Sequence, residues 1–264
     1  MIQLMLFRRT FVRLTMVVGL GLLSTTAAAA QDLSIAAASD LQAVFPVVAE
    51  RFERETGKKV GLTFGSSGNF FSQIQHGAPF DLFFSADHDY AVRLEASGLA
   101  ERGSLYRYAV GRIVLWTRND SGIDVRRGLS VLVDPRVKRV AIANPEHAPY
   151  GRAAVAALQR EKLYEAVRPK FVFGESVSQA AQFIQSGNSE AGIIALSLAL
   201  GPALRANGSY SEVPAGSHPP IEQSAIITSA SRHKDVARQF LSFLKQPEIS
   251  RMMQDFGFTI PSNP

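Results

Sequence analysis

Residues 33–57 read LSIAAASDLQAVFPVVAERFERETG, an apolar run followed directly by apolar residues at helical spacing. The run at 33–38 is typical of a buried strand. Beyond it, large apolar side chains recur every three or four residues until Gly57, as one face of a helix requires: Leu41, Val44, Phe45, Val48 and Phe52. Ser39 stands at the joint. Pro46 has no amide donor and crowds the preceding turn, so we expect a kink or an irregular first turn. The stretch predicts a strand-to-helix unit, the repeating element of α/β folds.

The same unit recurs along the chain. The first half predicts strands at 59–64 and 80–84 and helices at 70–74 and 90–97. The second half predicts strands at 137–143, 170–173 and 191–196, helices at 152–163 and 177–185, and two final helices at 233–245 and 247–254. Such alternation is typical of largely parallel sheets covered by helices on both faces.

Two segments are expected to carry the chain between two lobes. The run at 106–116 is longer than the usual strand of about 5–6 residues, and Gly111 interrupts it. Residues 221–228 provide the return path. We therefore expect a ligand in the cleft between one lobe made of residues 31–110 plus 223–264 and a second lobe made of residues 111–222.

Four segments place a small hydroxyl or an open backbone amide where a helix is predicted to begin. They are Ala38-Ser39-Asp40, Gly65-Ser66-Ser67-Gly68, Pro149-Tyr150-Gly151 and Ser176-Val177-Ser178. The first turn of a helix has amide protons without an internal acceptor and a dipole equivalent to about half a positive charge. Four such N-termini directed at one point would hold a tetrahedral oxyanion without Lys or Arg. The pattern favours a binding protein over an enzyme.

The serines also have an interpretation that needs no ligand. Ser39 and Ser67 are favoured helix-capping residues in any protein, and Gly65 and Gly68 can serve a tight turn. Both serines, however, follow predicted strands of one lobe and have small neighbours that leave room for an anion. This combination favours the binding interpretation.

The first thirty residues are expected to be a signal peptide. Arg8, Arg9 and Arg13 precede an apolar run at 14–23, and residues 28–30 are alanines that suit a cleavage site. The apolar run is about half of the roughly 20 residues that span a bilayer. The paired arginines leave both the general (Sec) and the twin-arginine (Tat) export routes open. We expect the mature protein in the periplasm.

The amino-acid composition limits the kinds of partner that this protein is expected to bind. The chain has 28 Lys and Arg against 23 Asp and Glu, and three of the arginines lie in the predicted signal peptide, so the formal charge falls from +5 to +2 on cleavage. No block of five basic residues occurs, and no nucleic-acid partner is expected. The absence of cysteine excludes disulfides, thiolate metal sites and a lipid-modified cysteine.

Motifs for catalysis are not found in the sequence. Residues 65–68 lack the G-x-S-x-G spacing of a nucleophile elbow. None of the five histidines lies three to five positions from another, which argues against a zinc site: His76, His88, His147, His218 and His233. We expect neither an enzymatic activity nor a cofactor.

Five longer motifs occur in a fixed order along the chain. They are AAASDL at 36–41, FGSSG at 64–68, GAPFDLFFSAD at 77–87, NPEHAPYG at 144–151 and GFTIP at 257–261. With these motifs the chain resembles the periplasmic molybdate-binding proteins of ABC transporters over essentially all of the mature sequence. The resemblance implies a type II periplasmic-binding-protein fold, in which two α/β lobes close over molybdate or tungstate in the interdomain cleft.

The resemblance also implies the ligand contacts. They fall on the hydroxyl and amide of Ser39, the hydroxyl and amide of Ser67, the amide of Tyr150 and the amide of Val177. These groups contact the oxygens of the oxyanion, not the metal atom. The expected partners are the oxyanion and a membrane-embedded ABC permease, and we expect a monomer.

One position departs from part of the family. A subset of the family has a ligand tyrosine on the strand that reads GIIALS at 192–197, and this chain has Ala195 there. Another subset resembles this chain, with Ala-Leu in the strand and Tyr after the Pro of the fourth motif. Discrimination against sulfate therefore stays open, and a receptor for another oxyanion such as sulfate is the alternative. A ligand-sensing regulatory domain of the same fold is a second alternative, against which the signal peptide counts.

Four further charged or ionisable side chains lie within the third and fourth of these motifs. A carboxylate would repel a dianion, so Asp81 and Asp87 are expected to cap helices or pair within the protein. Glu146 and His147 are interpreted as solvated loop residues.

Overall fold

The computed structural model describes residues 31–261. The predicted signal peptide at 1–30, and with it the export route, lies outside the described residues. Within the described range, no helix is both long enough and apolar enough to cross a membrane.

Ten strands and ten α-helices make up the described chain. The strands are β1 Leu33–Ala38, β2 Val60–Gly65, β3 Leu82–Ser85, β4 Tyr106–Gly111, β5 Ile113–Arg118, β6 Val140–Ala143, β7 Phe171–Gly174, β8 Ala191–Ala195, β9 Gly208–Glu212 and β10 Ile221–Ile227. The helices are α1 Phe45–Thr56, α2 Ser67–Gln75, α3 His88–Ala96, α4 Pro149–Arg160, α5 Tyr164–Val167, α6 Val177–Gln185, α7 Leu196–Leu200, α8 Pro202–Arg205, α9 Lys234–Leu244 and α10 Pro247–Asp255.

The strands form two mixed five-stranded sheets. The first has the order β2-β1-β3-β10-β4, in which β10 is antiparallel to both neighbours and β1 is parallel to both of its own. The second has the order β7-β6-β8-β5-β9, in which β5 is antiparallel to both neighbours and β6 is parallel to both of its own. The expected βαβ alternation is therefore present, and each sheet gains its antiparallel strand where the chain crosses between the sheets.

The predicted crossing run at 106–116 is divided in the structure. Its first part is β4 in the first sheet and its second part is β5 in the second sheet, with only the exposed Arg112 between them. A single long strand is therefore the wrong description, although the crossing lies beside Gly111 as predicted. The return segment is β10, which pairs with β3 and β4 in the first sheet.

Each sheet has its own core. Around the first sheet, phenylalanines meet edge to face, with ring centroids 4.9 Å apart for Phe45 and Phe84 and 5.0 Å apart for Phe52 and Phe240. Around the second sheet, Trp116 and the aliphatic residues of β6 and β8 are buried. These cores fix the strand ends from which the candidate site is built.

The joint after β1 contains the irregular turn that Pro46 predicts. Ser39–Ala43 is a 3-10 helix, and α1 begins only at Phe45. Pro46 thus lies in the first turn of α1, where no amide donor is needed, and it does not break the helix interior.

Candidate functional site

The four predicted joints meet at one small cavity. Its lining comes from the end of β1, the start of α2, the turn after β3, the start of α4 and the start of α6: Ala38, Ser39, Asp40, Gly65, Ser66, Ser67, Ala86, Ala148, Pro149, Tyr150 and Val177. About 10 Å³ is open to the centre of a water-sized sphere, which is about what a single water molecule needs. In this closed arrangement the cavity is too small for an organic ligand.

All four residues nominated by the sequence lie in this wall. Ser39, Ser67, Tyr150 and Val177 are at most 3% exposed. Ser67 and Val177 are the first residues of α2 and α6, Tyr150 is the second residue of α4, and Ser39 opens the 3-10 helix. The amides at these positions lie in the first turn of each helix and have no acceptor within that helix. The lining contains no Lys, Arg or His, so the positive charge available to an anion here is that of the helix N-termini.

The two serine hydroxyls each accept a hydrogen bond from a backbone amide. Ser67 Oγ accepts a hydrogen bond from the Ala86 amide at 2.9 Å, and Ser39 Oγ accepts one from the Ser178 amide at 3.3 Å. A hydroxyl that accepts from an amide still has its own proton to donate. Each serine therefore retains an O–H proton that it can donate.

Helix capping does not account for these hydroxyls. The residue that precedes α2 is Ser66, and its hydroxyl donates to the His147 carbonyl oxygen at 2.7 Å instead of capping the helix. The residue before the 3-10 helix is Ala38, which has no side-chain cap. Ser39 and Ser67 each lie one position inside their helices. The helix-cap interpretation of Ser39 and Ser67 is therefore wrong, and their hydroxyls instead accept from the Ala86 and Ser178 amides.

His147 lies where the two halves of the molecule meet, each half being one sheet with the helices that cover it. Its interpretation as a solvated loop residue is therefore wrong. Its side chain is 20% exposed, and its Nδ1 lies 2.9 Å from Ser66 Oγ. Its carbonyl oxygen accepts from the Gly68 amide at 3.0 Å. A Cβ on Gly68 would lie 2.6 Å from that oxygen, so glycine is needed for this approach. Glu146 is exposed, as expected.

Asp40 is the ionisable residue that the sequence interpretation did not assign. Asp40 is one of the lining residues, and its fully buried carboxyl accepts hydrogen bonds at Oδ2 from Tyr150 Oη at 2.9 Å and Gln223 Nε2 at 2.7 Å. Its Oδ1 has no partner among the described residues. Burial raises the pKa of Asp40 to about 6, while the bonds from Gln223 and Tyr150 act in the opposite direction.

Tyr150 is anchored by its hydroxyl, which the sequence interpretation did not credit. Besides donating to Asp40, Tyr150 Oη accepts from Gln223 Nε2 at 3.0 Å. Burial raises the pKa of Tyr150 well above its ordinary value. These bonds join residues that are far apart in sequence, which is why no local pattern indicated them.

The remaining predicted residues lie outside the lining. Asp81 accepts from the Ser34 amide at 2.8 Å and from Ser231 Oγ at 2.7 Å, as a structural carboxylate does. Asp87 caps α3 and forms an ion pair with Arg152 of α4. Ala195 is buried at the end of β8 and contributes no polar side chain.

Two mixed sheets covered by helices, joined by two crossing segments and with a cavity at converging strand and helix ends, form the fold of the type II periplasmic binding proteins. The chain belongs to the family of bacterial extracellular solute-binding proteins, whose match covers residues 33–259.

Individual relatives are more specific. The molybdate-binding protein ModA of Azotobacter vinelandii is 38% identical over 93% of this chain and 96% of its own length. ModA of Rhodobacter capsulatus is 36% identical over 93% of each chain. The solved structure of the Azotobacter vinelandii periplasmic molybdate-binding protein has a TM-score of 0.81 and 33% identity, and the match covers 87% of this chain and all of that one. The relatives are thus named as binding proteins, and the fold implied by the sequence resemblance is confirmed.

Proposed function

We propose that this protein is the periplasmic receptor that captures molybdate, and also tungstate, and delivers it to an ABC permease. The observation that carries this proposal is the small cavity whose wall combines helix N-termini with two serine hydroxyls that retain a proton to donate, and contains no basic side chain. Such a wall suits a compact oxyanion of double negative charge. The names and similarity of the ModA relatives support molybdate as that ion.

The proposed contacts are six donors from four residues. They are the hydroxyls and amides of Ser39 and Ser67 and the amides of Tyr150 and Val177. A hydrogen bond to a charged group contributes about 1.5–3 kcal/mol. The set thus supplies on the order of 10–15 kcal/mol before lobe closure and ligand ordering are subtracted, and we expect submicromolar affinity.

Selectivity over sulfate is proposed to come from the dimensions of the cavity. The metal–oxygen bonds of molybdate and tungstate are longer than the sulfur–oxygen bonds of sulfate. Backbone amides fixed at helix ends cannot follow a smaller ion inward, so sulfate leaves some donors without a good partner. A receptor for sulfate remains the competing proposal, because sulfate also satisfies a wall of donors.

The proposed function also assigns roles to the N-terminal segment and to the two lobes. We propose that residues 1–30 direct export by the Sec or Tat route and are removed. We propose one lobe of residues 31–110 plus 223–264 and another of residues 111–222, a division that the membership of the two sheets supports. The receptor is proposed to act as a monomer, without a cofactor and without catalysis.

The test is calorimetric titration of dialysed protein comprising residues 31–264 with molybdate, tungstate, sulfate and phosphate. We expect tight one-to-one binding of the first two ions and no measurable heat from millimolar sulfate or phosphate. Comparable binding of sulfate would replace the molybdate proposal with a general oxyanion receptor. The absence of binding to all four ions would overturn the proposal.

A further inference from the structure

We propose that the Tyr150 hydroxyl is a positioning group that latches the two halves of the protein over the bound anion, with Asp40 and Gln223 as its partners. The latch, defined as the Tyr150 hydroxyl, the Asp40 carboxyl and the Gln223 amide, rests on the proposed function of the cavity as an oxyanion site. The latch gives a role to the side chain of Tyr150, a residue that otherwise contributes only its backbone amide to the proposed anion site.

The latch is a closed triangle of hydrogen bonds. Tyr150 Oη donates to Asp40 Oδ2 at 2.9 Å, and Gln223 Nε2 donates both to Asp40 Oδ2 at 2.7 Å and to Tyr150 Oη at 3.0 Å. Asp40 and Gln223 are fully buried, and Tyr150 is 3% exposed. In a dry environment these bonds are strong, and losing one partner leaves a buried polar group unsatisfied.

Tyr150 supplies the connection between the two halves. Asp40 follows β1 and Gln223 lies on β10, and both strands belong to the first sheet. Tyr150 lies in α4, which packs on β6 and β8 of the second sheet. Opening the cleft therefore requires the phenol to leave two partners on the opposite side.

The same side chain sets the cavity wall. Tyr150 is the second residue of α4, and its amide is one of the proposed donors to the anion. Fixing the phenol on Asp40 and Gln223 fixes the direction of the α4 N-terminus relative to Ser39, which adjoins Asp40 in sequence. Closure of the latch and completion of the donor set are thus one geometric event.

Gly111 provides an independent indication that the phenol has a reserved position. A Cβ on Gly111 would lie 2.2 Å from Tyr150 Oη and 2.7 Å from Gln223 Nε2. Gly111 is the last residue of β4, where the chain crosses between the sheets. The absence of a side chain at the crossing therefore creates the space in which the latch forms.

The test compares Tyr150→Phe with Tyr108→Phe. Tyr108 Oη donates to Gln223 Oε1 at 2.6 Å, so its removal takes a buried hydroxyl from the same neighbourhood. Tyr108 lies on β4 in the first sheet, however, and among residues 31–261 its hydroxyl makes no hydrogen bond to the half built on the second sheet. Molybdate affinity is measured by calorimetry and its dissociation rate by stopped flow, beside the melting temperature of each unliganded variant.

We expect Tyr150→Phe to weaken molybdate binding at least tenfold, mainly through faster dissociation, and Tyr108→Phe to change the dissociation rate less than threefold. Equal dissociation rates in Tyr150→Phe and the unaltered protein overturn the latch, as does an equal loss in both variants. If the unaltered protein binds no oxyanion, the proposed function fails together with the latch. If the unaltered protein binds molybdate and the variants show either of these overturning results, the latch alone fails.

A second pair of variants, both at Asp40, tests the latch if Tyr150→Phe does not fold. Asp40→Asn retains a carbonyl oxygen that can accept from Tyr150 and Gln223, whereas Asp40→Ala removes the acceptor. We expect Asp40→Asn to bind molybdate at least fivefold more tightly than Asp40→Ala. Equal affinities in this pair contradict the latch.

Discussion

Ser39 and Ser67 each hold a hydroxyl that accepts from a backbone amide and retains a proton for the cavity. Their replacement by alanine removes one donor while leaving the backbone amide in place. Since a hydrogen bond to a charged group contributes about 1.5–3 kcal/mol, we expect Ser39→Ala and Ser67→Ala each to weaken molybdate binding tenfold or more. Calorimetric titration checks this. Ser72→Ala, on the exposed face of α2, is the matched control and should bind normally. Normal affinity in Ser39→Ala would remove that hydroxyl from the site.

Asp40 makes stability depend on pH in a direction opposite to that of most carboxylates. Burial raises the pKa of Asp40 to about 6 in the folded protein, against about 3.9 in an unfolded chain. The folded state therefore binds more protons between pH 4 and 6, and the contribution of Asp40 to stability falls as pH rises through this window. Above pH 6, the difference between the two pKa values corresponds to a loss of about 3 kcal/mol in the free energy of unfolding relative to low pH.

The variant Asp40→Asn isolates this effect, because an amide does not titrate in this range. We expect the free energy of unfolding of Asp40→Asn, minus that of the unaltered protein, to increase from pH 4 to pH 6 and then to level off. Urea unfolding at a series of pH values measures the difference. Carboxylates with lowered pKa values, such as Asp124 and Glu53, cancel in the subtraction. A difference that stays constant with pH would show that Asp40 is not protonated preferentially in the fold.

Sequence patterns nominated the two serines that line the cavity and missed the anchoring of Tyr150, for a physical reason. A small residue after a buried strand and before a helix is a local signal, so Ser39 and Ser67 could be nominated from their neighbours. The bonds of Asp40 to Tyr150 and Gln223 connect positions 110 and 183 residues apart. Only the folded chain brings them together, and only burial gives Asp40 its raised pKa.

At the scale of elements, the N-terminus of α2 approaches the loop before α4 closely. The Gly68 amide donates to the His147 carbonyl oxygen at 3.0 Å, and a Cβ on Gly68 would also lie 2.9 Å from Tyr90 Oη. An alanine here would hold the two elements apart in the closed form. We therefore expect Gly68→Ala to weaken molybdate binding at least tenfold in calorimetry.

The control for Gly68→Ala is Gly216→Ala, where an added Cβ meets nothing within 4 Å. That variant should bind molybdate as the unaltered protein does. If Gly68→Ala also binds normally, close approach of α2 to the loop is not required for binding.

The elements that the sequence predicted well are those with a buried apolar face. Helix α6 and strand β10 were found within one residue of their observed ends because their buried positions follow the helical and extended periods. Strand β9 was missed because it is a polar sheet edge, GSYSE, with mostly exposed or half-exposed side chains. The break at Arg112 was also missed, because the apolar residues on both sides continue without a turn motif.

At the scale of the whole molecule, the contacts between the two halves identify a closed conformation. Ser39 meets Ser178, Asp87 meets Arg152, and Tyr150 meets Asp40. If anion binding supplies the free energy that maintains these contacts, the unliganded protein opens in solution. We expect molybdate to decrease the radius of gyration in small-angle X-ray scattering, with no change on adding sulfate. An identical radius with and without molybdate would contradict closure.

The two-lobe architecture could be predicted because the alternation of strands and helices restarts after Gly111. The mixed character of the sheets could not, since the directions of β5 and β10 depend on where the chain crosses between the sheets. Those antiparallel strands bring the start of α4 opposite the end of β1, and so form the cavity from distant parts of the chain.

The most direct test of the central claim is a crystal structure of the protein grown with molybdate and measured at the molybdenum absorption edge. The account predicts one anomalous peak in the cavity, with the oxyanion oxygens within hydrogen-bond distance of Ser39, Ser67, Tyr150 and Val177 and no basic side chain in contact. An anomalous peak at any other place, with the cavity occupied by water alone, would contradict it.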